Sequence, residues 1–297
     1  MMTKIANDIW ISHHQKKINL ELSHFFKEID QSLLKNVCEY AVLNGGKRLR
    51  SLLIYAISNY SDGYDTHFNC LALAVEMIHA YSLVHDDLPS MDDDELRRGK
   101  PSCHIKYDEA QAILGGDALQ SLAFELLSSD KFNVQDKVKI KVLNMLSQSI
   151  GLHGMALGQS IDIDSANKEL NLKSLDHLQA LKTGALIEAS CVMSYVISDK
   201  YNQKHEKDIA SIGKLIGSIY QITDDILDFE SDTNTLGKTI GKDAKDKKAT
   251  YITLMGVTEA KKIKALLFST LRKEIEQFPS DLTVLNNLVS YIYQRNY

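Results

Sequence analysis

The run CLALAVEMIHAYSLVHDDLP, residues 70–89, decides the fold. From Cys70 to Val84 it is almost wholly apolar, and Leu71, Val75, Ile78, Ser82 and His85 recur in steps of three or four. That is the period of an α-helix rather than of a strand. A helix that is apolar on most of its circumference is buried on most sides. Yet this one runs directly into Asp86 and Asp87, and a buried carboxylate without a partner is costly. The stretch therefore predicts a core helix whose C-terminal end carries chemistry.

The same period recurs outward along the chain. Ala110, Ile113, Leu114, Leu119, Leu122, Ala123 and Leu126 predict two helical pieces broken near Gly115-Gly116. Val142, Met145, Leu146 and Ile150 predict another, and residues 175–196 and 209–229 two long ones. The chain has only three prolines, Pro89, Pro101 and Pro279. Each would cost about 3 kcal/mol inside a helix, so their scarcity permits helices almost everywhere. Alternating β-branched runs are few. Breaks are expected at residues 44–46, 61–63, 89–101, 128–133, 165–171, 198–203 and 231–246, the last reading as a mobile loop rich in Gly, Lys and Asp. With no internal repeat and no low-complexity linker, the expectation is an all-α protein. It is a single domain over residues 1–297, a bundle of roughly ten or more helices around a central apolar cavity.

Composition narrows the function. Hydrophobic residues are 44% and charged residues 25% of the chain, the balance of a globular protein. The net charge of −5, from 34 Lys and Arg against 39 Asp and Glu, argues against general nucleic-acid binding. Cys38, Cys70, Cys103 and Cys191 are too scattered for a zinc or redox motif and read as packed, reduced thiols. No secretory signal and no apolar run long enough for a bilayer is seen, so a cytoplasmic location without a membrane partner is expected.

A second acidic cluster, Gln221-Ile222-Thr223-Asp224-Asp225-Ile226-Leu227-Asp228, also ends an apolar helix. Gln221, Asp224, Asp225 and Asp228 fall on one helical face. One such cluster alone is more simply a solvated acidic helix end. Two of them, each closing an apolar helix, point to hard cations held between them. Mg²⁺ suits this, because it takes oxygen ligands and leaves positions for water and substrate phosphates. The basic residues fit an anionic substrate. Gly45-Gly46-Lys47-Arg48-Leu49-Arg50 is a turn between helices at which Lys47 and Arg50 would reach a phosphate, although a solvated basic turn is the commoner reading. Arg97-Arg98 follow the first cluster, Lys182-Thr183-Gly184 interrupts an apolar helix, and Lys238 and Lys248 sit in or beside the later loop.

Taken in order, Gly-Gly-Lys-Arg-Leu-Arg, Asp-Asp-x4-Asp-x3-Leu-Arg-Arg-Gly, Lys-Thr-Gly and Gln-x2-Asp-Asp-x2-Asp resemble the trans-isoprenyl diphosphate synthases, from about Tyr40 to Lys248. Residues 79–87 and the terminal Tyr291–Asn296 look like the bacterial farnesyl diphosphate synthases among them. The resemblance implies the isoprenoid synthase fold and a homodimer. It implies that isopentenyl diphosphate is joined to dimethylallyl or geranyl diphosphate, giving farnesyl diphosphate, with geranyl or geranylgeranyl diphosphate as the alternative product. It implies three Mg²⁺ ions held by Asp86, Asp92 and Asp224, supported by Asp87, Asp225 and Asp228. The allylic diphosphate would be held by Arg97, Lys182, Gln221 and Lys238. Gly46, Lys47, Arg50, His79 and Arg98 would take isopentenyl diphosphate, and Gln159, Thr183 and Lys248 would line the site. A terpene cyclase shares the acidic motifs but has no use for Lys47, Arg50 and Arg98, and a silent subunit would have lost an aspartate or arginine.

Two positions depart from the family pattern: Ser51 stands where proline is usual and Thr223 where many members have a second glutamine. Neither removes a charge. Product length would be set by a bulky side chain about one helical turn, roughly 5.4 Å, before Asp86. Tyr81 and Ser82 occupy that stretch. Tyr81 is either the stop that the resemblance associates with a C15 product or a core aromatic.

Overall fold

The computed structural model describes residues 4–59, 66–165, 168–234 and 249–295. Among them the only strands are a two-residue pair, and the rest of the regular structure is helical. The all-α expectation holds. The chain divides into two compact units, residues 2–143 and 144–297, whose boundary falls within one helix.

The first unit contains α1 (Lys4–Lys27), α2 (Leu33–Leu43), α3 (Leu49–Ser58) and α4 (Thr66–Asp86). It continues through β1 (Leu96–Arg97), β2 (Lys100–Pro101), α5 (Cys103–Lys106), α6 (Glu109–Ser128) and the first half of α7 (Asp136–Ile150). The apolar run of the sequence is α4, and every residue from Cys70 to Ile78 is buried. Helices α2, α3 and α6 pack on it. Local signals set the helix starts: the Ser32 hydroxyl accepts from Lys35 N at 3.1 Å to cap α2, and Asp108 accepts from Gln111 N at 2.7 Å to cap α6.

One expectation is corrected here. Gly115-Gly116 does not break the chain, and α6 runs unbroken through both. The pair permits close packing instead. A Cβ on Gly115 would lie 2.6 Å from Val37 Cγ1, and one on Gly116 2.1 Å from His85 Nε2. The intrinsic cost of glycine in a helix, about 1 kcal/mol each, is offset by that approach.

The second unit holds the rest of α7, then α8 (Met155–Asp164), α9 (Leu172–Gln179), a π-helical turn (Ala180–Gly184) and α10 (Ala185–Val196). A 3₁₀ turn (Gln203–His205), α11 (Glu206–Asn234), α12 (Tyr251–Gln277) and α13 (Thr283–Gln294) complete it. Helix α11 is its axis, with α10, α12 and α13 against it. The helix expected over 175–196 exists, but the π turn widens it at Lys182-Thr183-Gly184. Helix α11 extends to Asn234, into the stretch expected as a loop from residue 231; residues 235–246 and the break at 61–63 lie outside the described residues. No helix among the described residues is long and apolar enough to cross a membrane.

Candidate active site

In the first unit the end of α4 is folded back on itself. Beyond Asp86 the backbone closes a tight loop through Met91 N to Leu88 O at 2.9 Å, Asp92 N to Asp86 O at 2.8 Å and Asp94 N to Asp87 O at 3.2 Å. Asp93, in the left-handed region at φ 49°, supplies the reversal. The loop brings Asp86 and Asp92, six residues apart, onto one hydrogen bond. Asp87 turns inward and is only 2% exposed. Its Oδ1 accepts from Arg97 Nε at 3.0 Å and also from Arg97 Nη2. Burial pushes the Asp87 carboxyl above its ordinary range, against the pull of Arg97.

Strands β1 and β2 then form a minimal hairpin in which Arg97 pairs with Lys100. Its corner, Arg98-Gly99, has φ values of 55° and 74°, the left-handed pair that a two-residue hairpin favours. The corner sends Arg98 to the basic loop before α3, where its Nη1 donates to Gly45 O. A Cβ on Gly46 would stand 2.7 Å from Arg98 Cζ and would displace the guanidinium, and the φ of 119° at this position favours glycine. Gln15 Nε2 donates to Lys47 O at 2.9 Å, fixing the same loop from α1. Burial, and then the positive fields of Arg50, Arg98, Arg48 and Arg97, hold the His79 pKa well below its ordinary value. His79 is therefore a neutral imidazole among arginines.

Tyr81 is half-buried in α4, with its ring edge-on to His85 at 5.8 Å. Burial pushes its phenol up to about 12. The Ser82 hydroxyl is turned back onto His79 O at 2.9 Å.

In the second unit a chain of hydrogen bonds starts at the π turn. Thr183 Oγ1 donates to Gln221 Oε1 at 3.2 Å, and Gln221 Nε2 donates to Asp225 Oδ1 at 2.9 Å. Tyr251 N donates to Asp225 Oδ2 at 2.8 Å, so Asp225 serves the N-terminus of α12. The Tyr251 hydroxyl donates to Asp176 at 2.7 Å. Asp225 is thereby turned into the unit, while Asp228 is exposed and Asp224 half-buried on the same helix. Lys182 Nζ pairs with Asp162 Oδ2 of α8 at 2.6 Å. Both amide atoms of Gln159, also on α8, are buried and meet no hydrogen-bond partner among the described residues. Such a group is one that a polar ligand satisfies. Thr223 donates to Ile219 O at 2.6 Å and is buried, so this departure from the family pattern lies off the acidic face.

Sequence reasoning missed several contributors. Arg295, just past α13, donates to Asp224 Oδ1 and stacks over the Tyr220 ring with its Cζ 4.2 Å from the centroid. It lies in the quoted terminal segment, which was the available signal. Asp162 and the buried Glu76 gave none. Lys238 and Lys248 lie outside the described residues.

Residues 31–288 match the polyprenyl synthetase family. The chain belongs to that family. Polyprenyl synthetase relatives include the farnesyl diphosphate synthase of Haemophilus influenzae, 41% identical over 91% of this chain and 92% of the relative. That of Escherichia coli is 40% identical over 95% and 96%. Geranylgeranyl pyrophosphate synthase 4 of Arabidopsis thaliana is 38% identical over 94% of this chain and 76% of its own length. Among solved structures, a geranyltransferase from Helicobacter pylori complexed with magnesium and isoprenyl diphosphate superposes with a TM-score of 0.80. It is 32% identical and covers 95% of this chain and 96% of its own.

Among the described residues no three His, Cys, Asp or Glu side chains are already gathered as a ligand set. The donor chemistry still fits magnesium, which takes one or two carboxylates from a protein and the rest of its shell from phosphate and water. Asp86 and Asp92, whose backbones meet in one hydrogen bond, would supply such carboxylates.

Proposed function

We propose that this polyprenyl synthetase is a farnesyl diphosphate synthase that joins isopentenyl diphosphate to dimethylallyl and then geranyl diphosphate. The observation that best supports it is the meeting of Arg98 with Gly46, which joins the arginine after the first acidic motif to the Lys47–Arg50 loop. A site of this kind takes a second anionic substrate beside the allylic one.

Asp86, Asp92 and Asp224 would hold three Mg²⁺ ions, with Asp87, Asp225 and Asp228 supporting the two motifs. When bound, magnesium supplies electrophilic stabilisation of the charge that grows on the departing diphosphate. Arg97, Lys182 and Gln221 hold that same diphosphate, together with Lys238. Lys182 exchanges Asp162 for the substrate. Lys47, Arg50 and Arg98 bind isopentenyl diphosphate, and His79, kept neutral, donates a hydrogen bond without adding charge. The allylic C–O bond breaks, the isopentenyl double bond attacks the allylic carbon, and the diphosphate that leaves accepts the proton lost from the new chain. Apolar helix surfaces keep water from the cation. The homodimer and the cytoplasmic location belong to this reading, as does a single functional domain, which a family match spanning both units supports.

The test is an assay with dimethylallyl diphosphate, isopentenyl diphosphate and Mg²⁺, with products separated by chromatography. A C15 product is expected. A dominant C20 product would favour the second reading, a geranylgeranyl diphosphate synthase, which the Arabidopsis relative supports.

A further inference from the structure

Helix α3 begins inside the protein with no side-chain cap of its own, and its preceding residue, Arg48, is in the left-handed region at φ 53° and ψ 31°. The first N–H groups of a helix need partners. Here the partner comes from another helix. Glu76 of α4, 2% exposed, accepts at Oε1 from Ser51 Oγ at 2.7 Å and from Ser51 N at 3.4 Å. Its Oε2 accepts from Arg48 Nη1 at 2.9 Å. The Arg48 guanidinium also reaches Val42 O at the end of α2, at 2.6 Å, and Asn19 of α1 at 3.0 Å. One buried carboxylate thus ties four helices around a single turn of backbone.

That turn carries the residues assigned to isopentenyl diphosphate. Lys47 precedes Arg48, and Arg50 precedes Ser51. His79 lies three residues beyond Glu76 on α4, about one helical turn. The three groups are therefore held to one another through Glu76, which is itself buried away from solvent. A carboxylate at this place also favours the positive end of α3.

Ser51 is the part of this device particular to the chain. Proline, expected there from the family pattern, offers neither the hydroxyl nor the N–H. We propose that Ser51 is a positioning residue for isopentenyl diphosphate: by anchoring the second oxygen of Glu76 it fixes the Lys47–Arg50 turn against His79. The inference rests on the assignment of that turn to isopentenyl diphosphate.

Glu76→Gln would break a buried ion pair and so disturb folding as well as position. Ser51→Ala is milder, removing one hydroxyl and leaving Arg48 paired. Removing one hydrogen bond to a buried carboxylate is expected to raise the KM for isopentenyl diphosphate about fivefold. The KM for geranyl diphosphate and kcat at saturation should stay within about twofold of wild type. Lys47→Ala is the control for the site itself and should raise the same KM. If Lys47→Ala raises it and Ser51→Ala does not, the positioning role is wrong while the site assignment stands. An equal loss across kcat and both KM values in Ser51→Ala would mean general structural damage and overturn the proposal. A Lys47→Ala enzyme with unchanged KM would overturn the site assignment and the proposal together.

Discussion

The guanidinium of Arg98 lies against Gly46, where a side chain on that glycine would have to stand, its Cζ 2.7 Å from the position of a Cβ. The contact joins two motifs more than 50 residues apart. Gly46→Ala would displace Arg98 and would also place an L-residue at φ 119°, a strain of about 1–3 kcal/mol. The expected outcome is a lower melting temperature and a KM for isopentenyl diphosphate raised about tenfold or more, because a charge-assisted contact worth about 1.5–3 kcal/mol is misplaced. Steady-state kinetics with the isopentenyl substrate varied would check it. Wild-type kinetics in the mutant would mean that Arg98 does not act from this position.

Tyr81→Ala is expected to lengthen the product. Tyr81 sits five residues before Asp86 on α4, half-buried and with its ring edge-on to His85. Alanine would remove the bulk of that ring and open space about one helical turn before Asp86. Product chromatography should show C20 chains at the expense of C15. An unchanged C15 product from Tyr81→Ala would leave Tyr81 as a core aromatic only.

What could be read in the sequence was what depends on near neighbours. The period of α4 and the cost of burying Asp86 and Asp87 are local facts, and both survive in the structure. The interruption at Lys182-Thr183-Gly184 was legible as an interruption, but its form, a π turn that lets Thr183 reach Gln221, depends on α11 some 38 residues later. Gly115-Gly116 was misread for the same reason. Glycine breaks a helix in isolation, yet here Val37 and His85 fill the space that side chains would take. The face of α11 was legible as acidic, but not that Asp225 turns inward to Tyr251, because that depends on where α12 begins. Arg48 and Glu76, 28 residues apart, carry no mark in sequence that they meet.

His79 makes stability depend on pH. Its folded pKa is held well below the ordinary value by burial and by Arg50, Arg98, Arg48 and Arg97. An unfolded chain would protonate the same histidine near pH 6.5. Between that pH and the lower folded pKa the unfolded state binds more protons, so stability falls as pH falls. Thermal unfolding measured from pH 7.5 to 5.5 should show a decline in the wild type that is shallower in His79→Gln. Parallel curves would show that His79 does not set this slope.

If Asp224 holds magnesium as proposed, Arg295 competes with the ion for that carboxylate. In the structure Arg295 donates to Asp224 Oδ1 and to Tyr220 O at 3.4 Å, and its Cζ lies over the Tyr220 ring. If Asp224 is to serve a cation, that bond must be given up or shared. Arg295→Gln keeps a polar side chain but removes the charge, so Asp224 is left more available to Mg²⁺. The concentration of Mg²⁺ giving half-maximal activity should fall, by about threefold or more, as an ion pair whose arginine is buried is relieved. The KM for geranyl diphosphate at saturating Mg²⁺ should change less. Titrating activity with Mg²⁺ in both proteins separates the cases. A higher Mg²⁺ requirement in Arg295→Gln would mean that Arg295 orders the second motif for the cation instead of competing with it.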